Sequence, residues 1–418
     1  MKKAMKLVSL VLAVVMLLGC LAACSSKSAT TDSTASTDTA STDTAASDSS
    51  EASSDGGEIV IALISNTTGD YAQYGQPVRD GAMLYINQLN ANGGINGKQV
   101  KVLEYDDKGD GVEAVNAYNL ACDNGITAVF GATLTGTTIA LADATYEDNM
   151  PQVTASATAT GVTVIDPADP ESEIRPNVFR ACFIDPFQGT MLARYAVKNE
   201  YKKIAIMREK DSEYSVGLVK YFQDEIATHD GYEVVALCDF MNKDEDFSAL
   251  LGAVLDKKPD VIFTSVSYAD KAAQIMKQAH ALGYEGAFFG GDTLDAPELF
   301  SIAGDAAVGA VFTTFYDAAQ PATEMTSKFL DAYRAKYGKE PAAPTVMAYD
   351  AYLTMRNAIE TAGTTDAEAV RDALFATSGF VGAAGSITLN DTHDAVRPVV
   401  FKEVQADGST SFKDMIEP

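Results

Sequence analysis

Two short loops rich in threonine and serine are the segments of this sequence best suited to hold an anionic ligand. The first reads GATLTGTT over residues 131–138, and the second reads TASATAT over residues 154–160. Each follows a predicted strand and leads into a helix, where free backbone N–H groups and the helix dipole favour negative charge. The hydroxyl groups add donors without adding charge, so the two loops together could hold one carboxylate. Ordinary N-capping by serine and threonine is the alternative that the pattern leaves open.

A carboxylate and three tyrosines stand at comparable places in the chain. Asp292 follows the predicted strand 287–289 through two glycines, and there it could meet the ammonium group of a ligand. Tyr74, Tyr214 and Tyr268 each follow a strand or open a helix, where an aromatic ring can wall a pocket or face a cation. The alternatives are a solvated loop aspartate and tyrosines that only pack.

Motifs for catalysis, nucleotides and metals are absent or incomplete. The segment 93–98 is one residue too short for a phosphate-binding P-loop, and Lys108 interrupts a partial calcium-loop pattern over 106–111. No dinucleotide, serine-hydrolase or zinc-protease signature occurs, and the three cysteines after residue 24 lack metal-type spacing. We therefore predict a binding protein rather than an enzyme, with no cofactor and no metal.

The chain is strongly acidic, with a formal net charge of −27 at pH 7. Binding to nucleic acid needs clustered lysine and arginine to neutralise phosphates. The charge balance therefore argues against a nucleic-acid partner and against a surface that adheres to anionic lipid.

The N-terminal 23 residues predict a lipoprotein signal peptide. Three lysines precede an apolar segment, and Leu21-Ala22-Ala23-Cys24 places small residues and a cysteine at the cleavage site. This order resembles the lipobox of bacterial lipoproteins, in which the cysteine becomes the new N-terminus and carries lipid. Cys20 is the poorer site because Leu18 is large, and residues 7–23 are slightly short for a transmembrane helix. We therefore predict lipidation at Cys24 and an extracytoplasmic protein held at the cell membrane.

The rest of the chain divides into a tether and a folded part. Residues 25–57 are almost entirely serine, threonine, alanine and aspartate, so residues 24–57 are predicted to be the lipidated cysteine and a disordered tether. From Glu58 onward strands alternate with helices, which predicts α/β domains with parallel sheets and helices on both faces. The length suggests two domains. Such sheets bind ligands at the carboxyl ends of their strands, where the loops described above stand.

The spacing of apolar residues predicts the individual elements. The predicted strands are 59–64, 99–105, 126–130, 151–154, 204–207, 234–238, 261–264, 287–289, 386–389 and 398–402. The predicted helices are 76–92, 112–122, 212–229, 247–257, 269–281, 297–303, 324–337, 345–361 and 367–376, with a further helix after the loop 131–138.

Several stretches along 58–402 occur together in one known family. They are Thr68–Gly75, Asn90–Lys98, Tyr105–Asp110, Phe179–Gly189, Asp246–Leu251, Gly290–Asp292 and Ile302–Gly304. The chain thereby resembles the branched-chain amino-acid binding proteins of ABC importers, which have the type I periplasmic-binding-protein fold. The resemblance implies two doubly wound parallel-sheet lobes joined by three crossovers. Residues 58–181 plus 315–382 would form lobe 1, and residues 182–314 plus 383–418 would form lobe 2.

The resemblance also implies a role for each predicted ligand-binding residue. Thr135 matches the residue that binds the ligand α-carboxylate through its hydroxyl and backbone N–H. Thr158 matches a residue that touches both carboxylate and ammonium, and Ser156 matches a position whose carbonyl accepts from the ammonium. Ala157 lies between them and belongs to the same set. Asp292 matches the acid that pairs with the ammonium, while Tyr74, Tyr214 and Tyr268 match aromatic residues of the pocket wall.

Three positions depart from the family and concern specificity. Leu134 is bulkier than the small residue or cysteine common there, Leu294 stands where many members have tryptophan, and Thr133 is more polar than usual. They alter the side-chain pocket, whereas the groups that recognise an α-amino acid match the family, so leucine, isoleucine or valine is only the default ligand. We predict an extracytoplasmic solute-binding lipoprotein that delivers an aliphatic amino acid to an ABC importer permease. A ligand sensor of the same fold, or a binder of an amide or aromatic acid, is the alternative.

Overall fold

The computed structural model describes residues 57–320 and 322–418. The predicted signal peptide of residues 1–23, the lipidation site Cys24 and the tether up to residue 56 lie outside this range. Within it, no helix is both long enough and apolar enough to cross a membrane.

The described residues form fourteen strands and eleven α-helices. The strands are β1 (Ile59–Ser65), β2 (Val100–Asp106), β3 (Ala128–Phe130), β4 (Gln152–Thr154), β5 (Val178–Arg180), β6 (Lys203–Glu209), β7 (Glu233–Phe240), β8 (Val261–Ser265), β9 (Ala287–Gly290), β10 (Val311–Thr314), β11 (Phe380–Gly382), β12 (Gly385–Ile387), β13 (Val399–Val404) and β14 (Thr410–Ile416). The helices are α1 (Ala72–Ala91), α2 (Gly111–Cys122), α3 (Thr135–Glu147), α4 (Asp185–Lys198), α5 (Glu213–Ile226), α6 (Ser248–Leu255), α7 (Ala269–Ala281), α8 (Glu298–Ala303), α9 (Glu324–Tyr337), α10 (Ala343–Ala362) and α11 (Ala367–Phe375).

The first sheet contains five parallel strands in the order β2-β1-β3-β4-β5. Its strand β1 is buried on both faces, as the continuous apolar run of its sequence predicts. The strand order reverses between β1 and β3, which makes a crevice at the carboxyl ends of these two strands.

The second sheet contains seven strands in the order β14-β13-β10-β9-β8-β6-β7. The strands from β6 to β10 are parallel, and their order reverses between β6 and β8. Strands β13 and β14 pair antiparallel at one edge, so this sheet is mixed rather than purely parallel.

Apolar side chains fill both faces of each sheet. One cluster joins the first sheet, α1 and α10 to one face of the second sheet, α4 and α5. A second cluster lies on the other face of the second sheet beneath α6, α7 and α8. A third lies between the first sheet and the helices α2 and α3. Each sheet is therefore doubly wound, as predicted.

The chain passes between the two sheets three times: after β5, after β10, and between β12 and β13. The residue boundaries of the two lobes remain a prediction. Strand β12 pairs with β11, and Arg397 forms a buried ion pair of 2.9 Å with Asp350 of α10. These contacts tie residues 385–397, predicted to begin the last part of lobe 2, to elements that pack on the first sheet.

Five elements are not predicted by the sequence patterns, namely β5, β10, β11, β14 and α4. The four strands are short or, as in β14, largely exposed, so they lack a clear apolar pattern. Helix α4 contains Gly189, a residue type that disfavours the interior of helices. A Cβ atom at Gly189 would lie 2.8 Å from the carbonyl oxygen of Leu218, so glycine there permits close packing of α4 on α5.

Candidate functional site

A cavity of about 300 Å³ lies where the carboxyl ends of the two sheets meet. The loops that form it follow β1, β2, β3 and β4 on one side and β6, β8 and β9 on the other. Its lining residues are Tyr71, Tyr74, Gly109, Gly111, Thr133, Leu134, Thr135, Gly136, Thr137, Ser156, Asp211, Ser212, Glu213, Tyr214, Ser267, Asp292 and Thr293. Seven predicted site residues are among them, and both sheets contribute, as expected for a ligand site at topological switch points.

The N-terminus of α3 faces the cavity without a side-chain cap. Its N-cap residue is Leu134, which cannot cap with its side chain, and residues 135–137 line the cavity. The hydroxyl groups of Thr137 and Thr138 donate instead to the Leu134 carbonyl, at 3.0 and 2.7 Å. N-capping therefore does not explain the hydroxyl groups here, and the first N–H groups of the helix remain available to an anion.

Hydrogen bonds join the loops that follow the strands of the first sheet to one another. The Thr133 and Ser65 hydroxyl groups lie 2.8 Å apart, and the Ser156 hydroxyl donates to the Thr133 carbonyl at 2.9 Å. Thr154 donates to the Ala132 carbonyl at 2.7 Å. Thr133 thus belongs to a polar network that organises the loops, and its backbone is fixed by Ser156.

Arg180 supports the second hydroxyl-rich loop from beneath, and sequence reasoning did not identify it. It is only 1% exposed. Its Nη1 donates to the carbonyl oxygens of Ala157 and Ala159, each at 2.9 Å, and its Nε lies 2.6 Å from the Asp394 carboxylate. These contacts bracket Thr158 on both sides. Neither Ala157 nor Thr158 lines the cavity. Thr158 is fully buried and lies two residues after Ser156, which does line it.

Asp292 is a buried carboxylate and not a solvated loop residue, since it is 2% exposed. Tyr214 and Gln188 donate to its Oδ1 at 2.9 and 2.8 Å, and Tyr74 donates to its Oδ2 at 3.1 Å. Burial raises the pKa of Asp292, and these three hydrogen bonds oppose the rise. Because an ammonium group would supply the opposite charge, the arrangement suits a cation.

The second-sheet side also contains a residue that sequence reasoning did not identify. Gln188, one turn into α4, donates to Thr313 at 2.7 Å as well as to Asp292. It thereby fixes the orientation of the Asp292 carboxylate against β10. Its only sequence signal is its place in the stretch 179–189 that carries the family resemblance.

The three predicted tyrosines take two different positions. Tyr74 and Tyr214 line the cavity, whereas Tyr268 packs edge-on against Tyr71 with ring centroids 5.1 Å apart. Tyr71 was not predicted, yet it lines the cavity beside Leu134 and covers Gly109. The Tyr71 hydroxyl accepts a hydrogen bond of 2.6 Å from Asn242, which follows β7, so residues that follow strands of the second sheet hold the Tyr71 ring in place.

The two leucines predicted to set specificity are also separated. Leu134 lines the cavity, but Leu294 is fully buried and lines a second cavity of about 530 Å³ on the other side of Tyr74. A Cβ atom at Gly290 would lie 2.5 Å from Leu294 Cδ2, so Leu294 packs closely on the end of β9.

Comparison with known proteins assigns the family. A family model described as periplasmic binding protein matches residues 58–409. The chain belongs to the periplasmic binding protein family. The Leu/Ile/Val-binding protein BraC3 of Rhizobium johnstonii is 33% identical over 341 residues, which cover 81% of this chain and 89% of that protein.

Two solved structures share the fold of this family member. The leucine-binding protein LivK of Thermotoga maritima has a TM-score of 0.80 and 33% identity, covering 86% of this chain and 99% of that one. The branched-chain amino acid transporter substrate-binding protein LivJ of Streptococcus pneumoniae, in complex with isoleucine, has a TM-score of 0.79 and 28% identity, covering 87% and 100%. The predicted family and fold are confirmed.

The electrostatics of this periplasmic binding protein's cavity are negative. Among the residues described as lining it, Asp211, Glu213 and Asp292 are acidic and none is lysine or arginine. Asp211 and Glu213 are exposed at the mouth, while Asp292 lies inside. Residues 57–320 and 322–418 contain no cluster of side chains suited to hold a metal ion.

Proposed function

We propose that this protein binds a free aliphatic amino acid between its two sheets and delivers it to an ABC importer. The observation that carries the proposal is the pairing of an uncapped helix N-terminus with a buried carboxylate around one cavity. An α-amino acid is a zwitterion and offers one anion and one cation on the same carbon. The α3 N-terminus suits its carboxylate, and Asp292 suits its ammonium.

The remaining polar groups take the roles that the family resemblance suggests. Thr135 would donate to the carboxylate through its hydroxyl and N–H, and the Ser156 carbonyl would accept from the ammonium. Thr158, with Ala157 before it, would complete this contact from the loop that Arg180 supports. These assignments remain proposals that mutation can test one residue at a time.

A branched aliphatic side chain fits the rest of the wall. Tyr71 and Leu134 supply apolar surface over Gly109, and a ligand here would exchange water for these contacts. The relatives named for leucine, isoleucine and valine support this choice. Carboxylates at the mouth would repel an acidic side chain.

Closure around the ligand would join the two sheets' loops. Gln73 donates to Asp270 at 3.1 Å, Tyr74 donates to Asp292 at 3.1 Å, and the hydroxyl groups of Thr160 and Tyr221 lie 3.0 Å apart. Each pair joins an element of the first sheet to an element of the second. A ligand that touches both sides would favour this arrangement over an open one, which a permease could then recognise.

A thermal-shift screen of the purified protein tests which class of ligand it binds. Leucine, isoleucine or valine at a hundred times its dissociation constant should add about 2.7 kcal/mol to the free energy of unfolding. Glutamate should cause no shift, because Asp211 and Glu213 repel it. A shift with benzoate or an amide and with no amino acid would contradict the proposal. Tight amino-acid binding without uptake in cells that carry the permease would favour a sensor.

We further propose that Cys24 carries the lipid that holds the protein at the outer face of the cell membrane. Replacing Cys24 by serine should abolish the incorporation of labelled fatty acid, because the thiol that carries the lipid would be lost. Cys20→Ser is the matched control and should incorporate the label as wild type does. Intact-mass measurement of the processed N-terminus should begin at Cys24 with added lipid. A mature chain that begins elsewhere would contradict the assignment.

A further inference from the structure

Asn242 joins the two sides of the ligand cavity, although it does not line the cavity itself. It lies in the loop after β7 and is partly buried. Its side-chain amide donates to the hydroxyl of Tyr71 at 2.6 Å, and its side-chain carbonyl accepts from the hydroxyl of Tyr268. Tyr71 lies between β1 and α1, whereas Tyr268 lies between β8 and α7. One asparagine side chain is therefore shared between tyrosines from opposite sides of the cavity.

The backbone of Asn242 is fixed at the mouth of the cavity. Its N–H donates to the two carboxylate oxygens of Asp211, at 3.0 and 3.3 Å. The N–H of Met241 donates to the Asp244 carboxylate at 2.8 Å, and the Asp244 carbonyl accepts from Lys271 of α7 at 2.9 Å. Because Asp211 lines the mouth, these bonds hold the asparagine there as part of the second-sheet side.

Tyr71 is the cavity residue that Asn242 holds in place. Its ring lies so close to Gly109 that a Cβ atom there would be 2.5 Å from Tyr71 Cδ2. The side chain of Asn66, just after β1, donates to the Tyr71 carbonyl and ties the backbone to the first-sheet side. The far edge of the ring meets Tyr268 with centroids 5.1 Å apart. Tyr71 is thus anchored to the first sheet by its backbone and to the second by its hydroxyl.

The hydrogen bond between Asn242 and Tyr71 can exist only while the two sides of the cavity lie together. A hydrogen bond is lost within a small increase in the donor–acceptor distance, so opening of the cavity breaks this one early. A ligand that enters an open cavity arrives before the bond has formed. The bond should therefore slow the release of ligand and leave its association nearly unchanged.

We propose that Asn242 is a positioning residue, which sets the rate of ligand release by holding Tyr71 across the mouth of the cavity. The inference rests on the proposed function, since it assumes an amino acid bound in this cavity. It goes beyond that function because Asn242 lies outside the groups that recognise the ligand. It also gives a role to Tyr268, whose hydroxyl occupies the Asn242 carbonyl and so directs the amide N–H groups toward Tyr71.

Stopped-flow measurements with L-leucine test this role through the rate constants of association and dissociation. Tyrosine fluorescence provides the signal, since the chain contains 18 tyrosines and no tryptophan, and Tyr74 and Tyr214 line the cavity. Asn242→Ala should release leucine about three- to tenfold faster than wild type, the usual effect of losing one hydrogen bond. Its association rate constant should stay within about twofold of the wild-type value.

Tyr71→Phe is the second variant, because it removes the acceptor hydroxyl and keeps the ring. It should accelerate release to a similar extent. The double variant should release leucine within about twofold of the rate of Asn242→Ala alone, since both substitutions remove the same bond. Lys243→Ala is the matched control from the same loop. Lys243 is exposed, so this variant should release leucine within about twofold of the wild-type rate.

Wild-type release rates in Asn242→Ala and Tyr71→Phe would overturn the proposal. Effects of the two substitutions that multiply in the double variant would also overturn it, because they would show that the two residues act independently. Tyr71→Phe keeps the test decisive if Asn242→Ala does not fold. If wild type binds none of leucine, isoleucine and valine, the proposed function itself fails, and this inference fails with it.

Discussion

Replacing Asp292 by alanine is expected to weaken L-leucine binding by about 2–5 kcal/mol, or about thirty- to several-thousand-fold. The buried ammonium would lose its only anionic partner among the residues that line the inside of the cavity. Gln188, Tyr74 and Tyr214 would lose the acceptor that they share, and none of them can replace a negative charge. Calorimetry at pH 7 measures the change directly.

The control variant for this prediction is Asp295→Asn, which removes a charge from the same loop. Asp295 accepts from Thr314 at 2.6 Å and lies 3.4 Å from Lys402, and it lines the second cavity instead of the first. The affinity of the Asp295→Asn variant for leucine should stay within about twofold of the wild-type affinity. Equal affinities for Asp292→Ala and wild type, with both proteins folded, would refute the role of Asp292.

Replacing Arg180 by methionine is expected to lower the free energy of unfolding by about 3–5 kcal/mol. Methionine keeps much of the apolar volume but removes every donor. The Asp394 carboxylate, only 5% exposed, would lose the cation that lies 2.6 Å away, and two loop carbonyls would lose their partner. Urea denaturation followed by circular dichroism measures the change. Leucine affinity should fall as well, because the loop 156–159 would lose its support.

Arg194→Met provides the matched control on the surface. Arg194 pairs with Glu225 at 2.8 Å, but its side chain is 57% exposed. Exposed ion pairs contribute about 0.2–1 kcal/mol to stability. The free energy of unfolding of this variant should therefore lie within about 1 kcal/mol of the wild-type value. A similar loss of stability in both variants would show that Arg180 has no special structural role.

Local sequence signals were enough to predict most of the first half of the fold. The apolar run 59–64 forms β1, an inner strand of the first sheet, because a strand buried on both faces excludes polar side chains. Helix α1 begins one turn before its predicted start, and its first turn passes close to Asn66. A Cβ atom at Gly75 would lie 2.1 Å from the Asn66 carbonyl oxygen, so glycine permits this approach.

The elements that sequence patterns did not predict depend on partners far along the chain. Strand β14 is mostly exposed. It forms because its backbone pairs with the edge of β13. Helix α4 has Pro186 at its start, where proline is favoured, and the close approach of α5 requires the glycine at position 189. Residue periodicity contains no information about such neighbours.

Residue types and their places after strands identified two hydroxyl-rich loops and Asp292 as candidates for binding an anion and a cation, and the family resemblance then suggested their roles. Hydroxyl-rich loops at a helix start and an acid after a strand are recognisable in the sequence, because backbone donors and charge are local properties. The tertiary structure alone decided which groups complete the site. Arg180, Gln188 and Tyr71 contact residues distant in sequence, and Leu294 lies beside a different cavity. Burial and the distances between non-local groups arise only when the two sheets pack, so the sequence by itself could not reveal these roles.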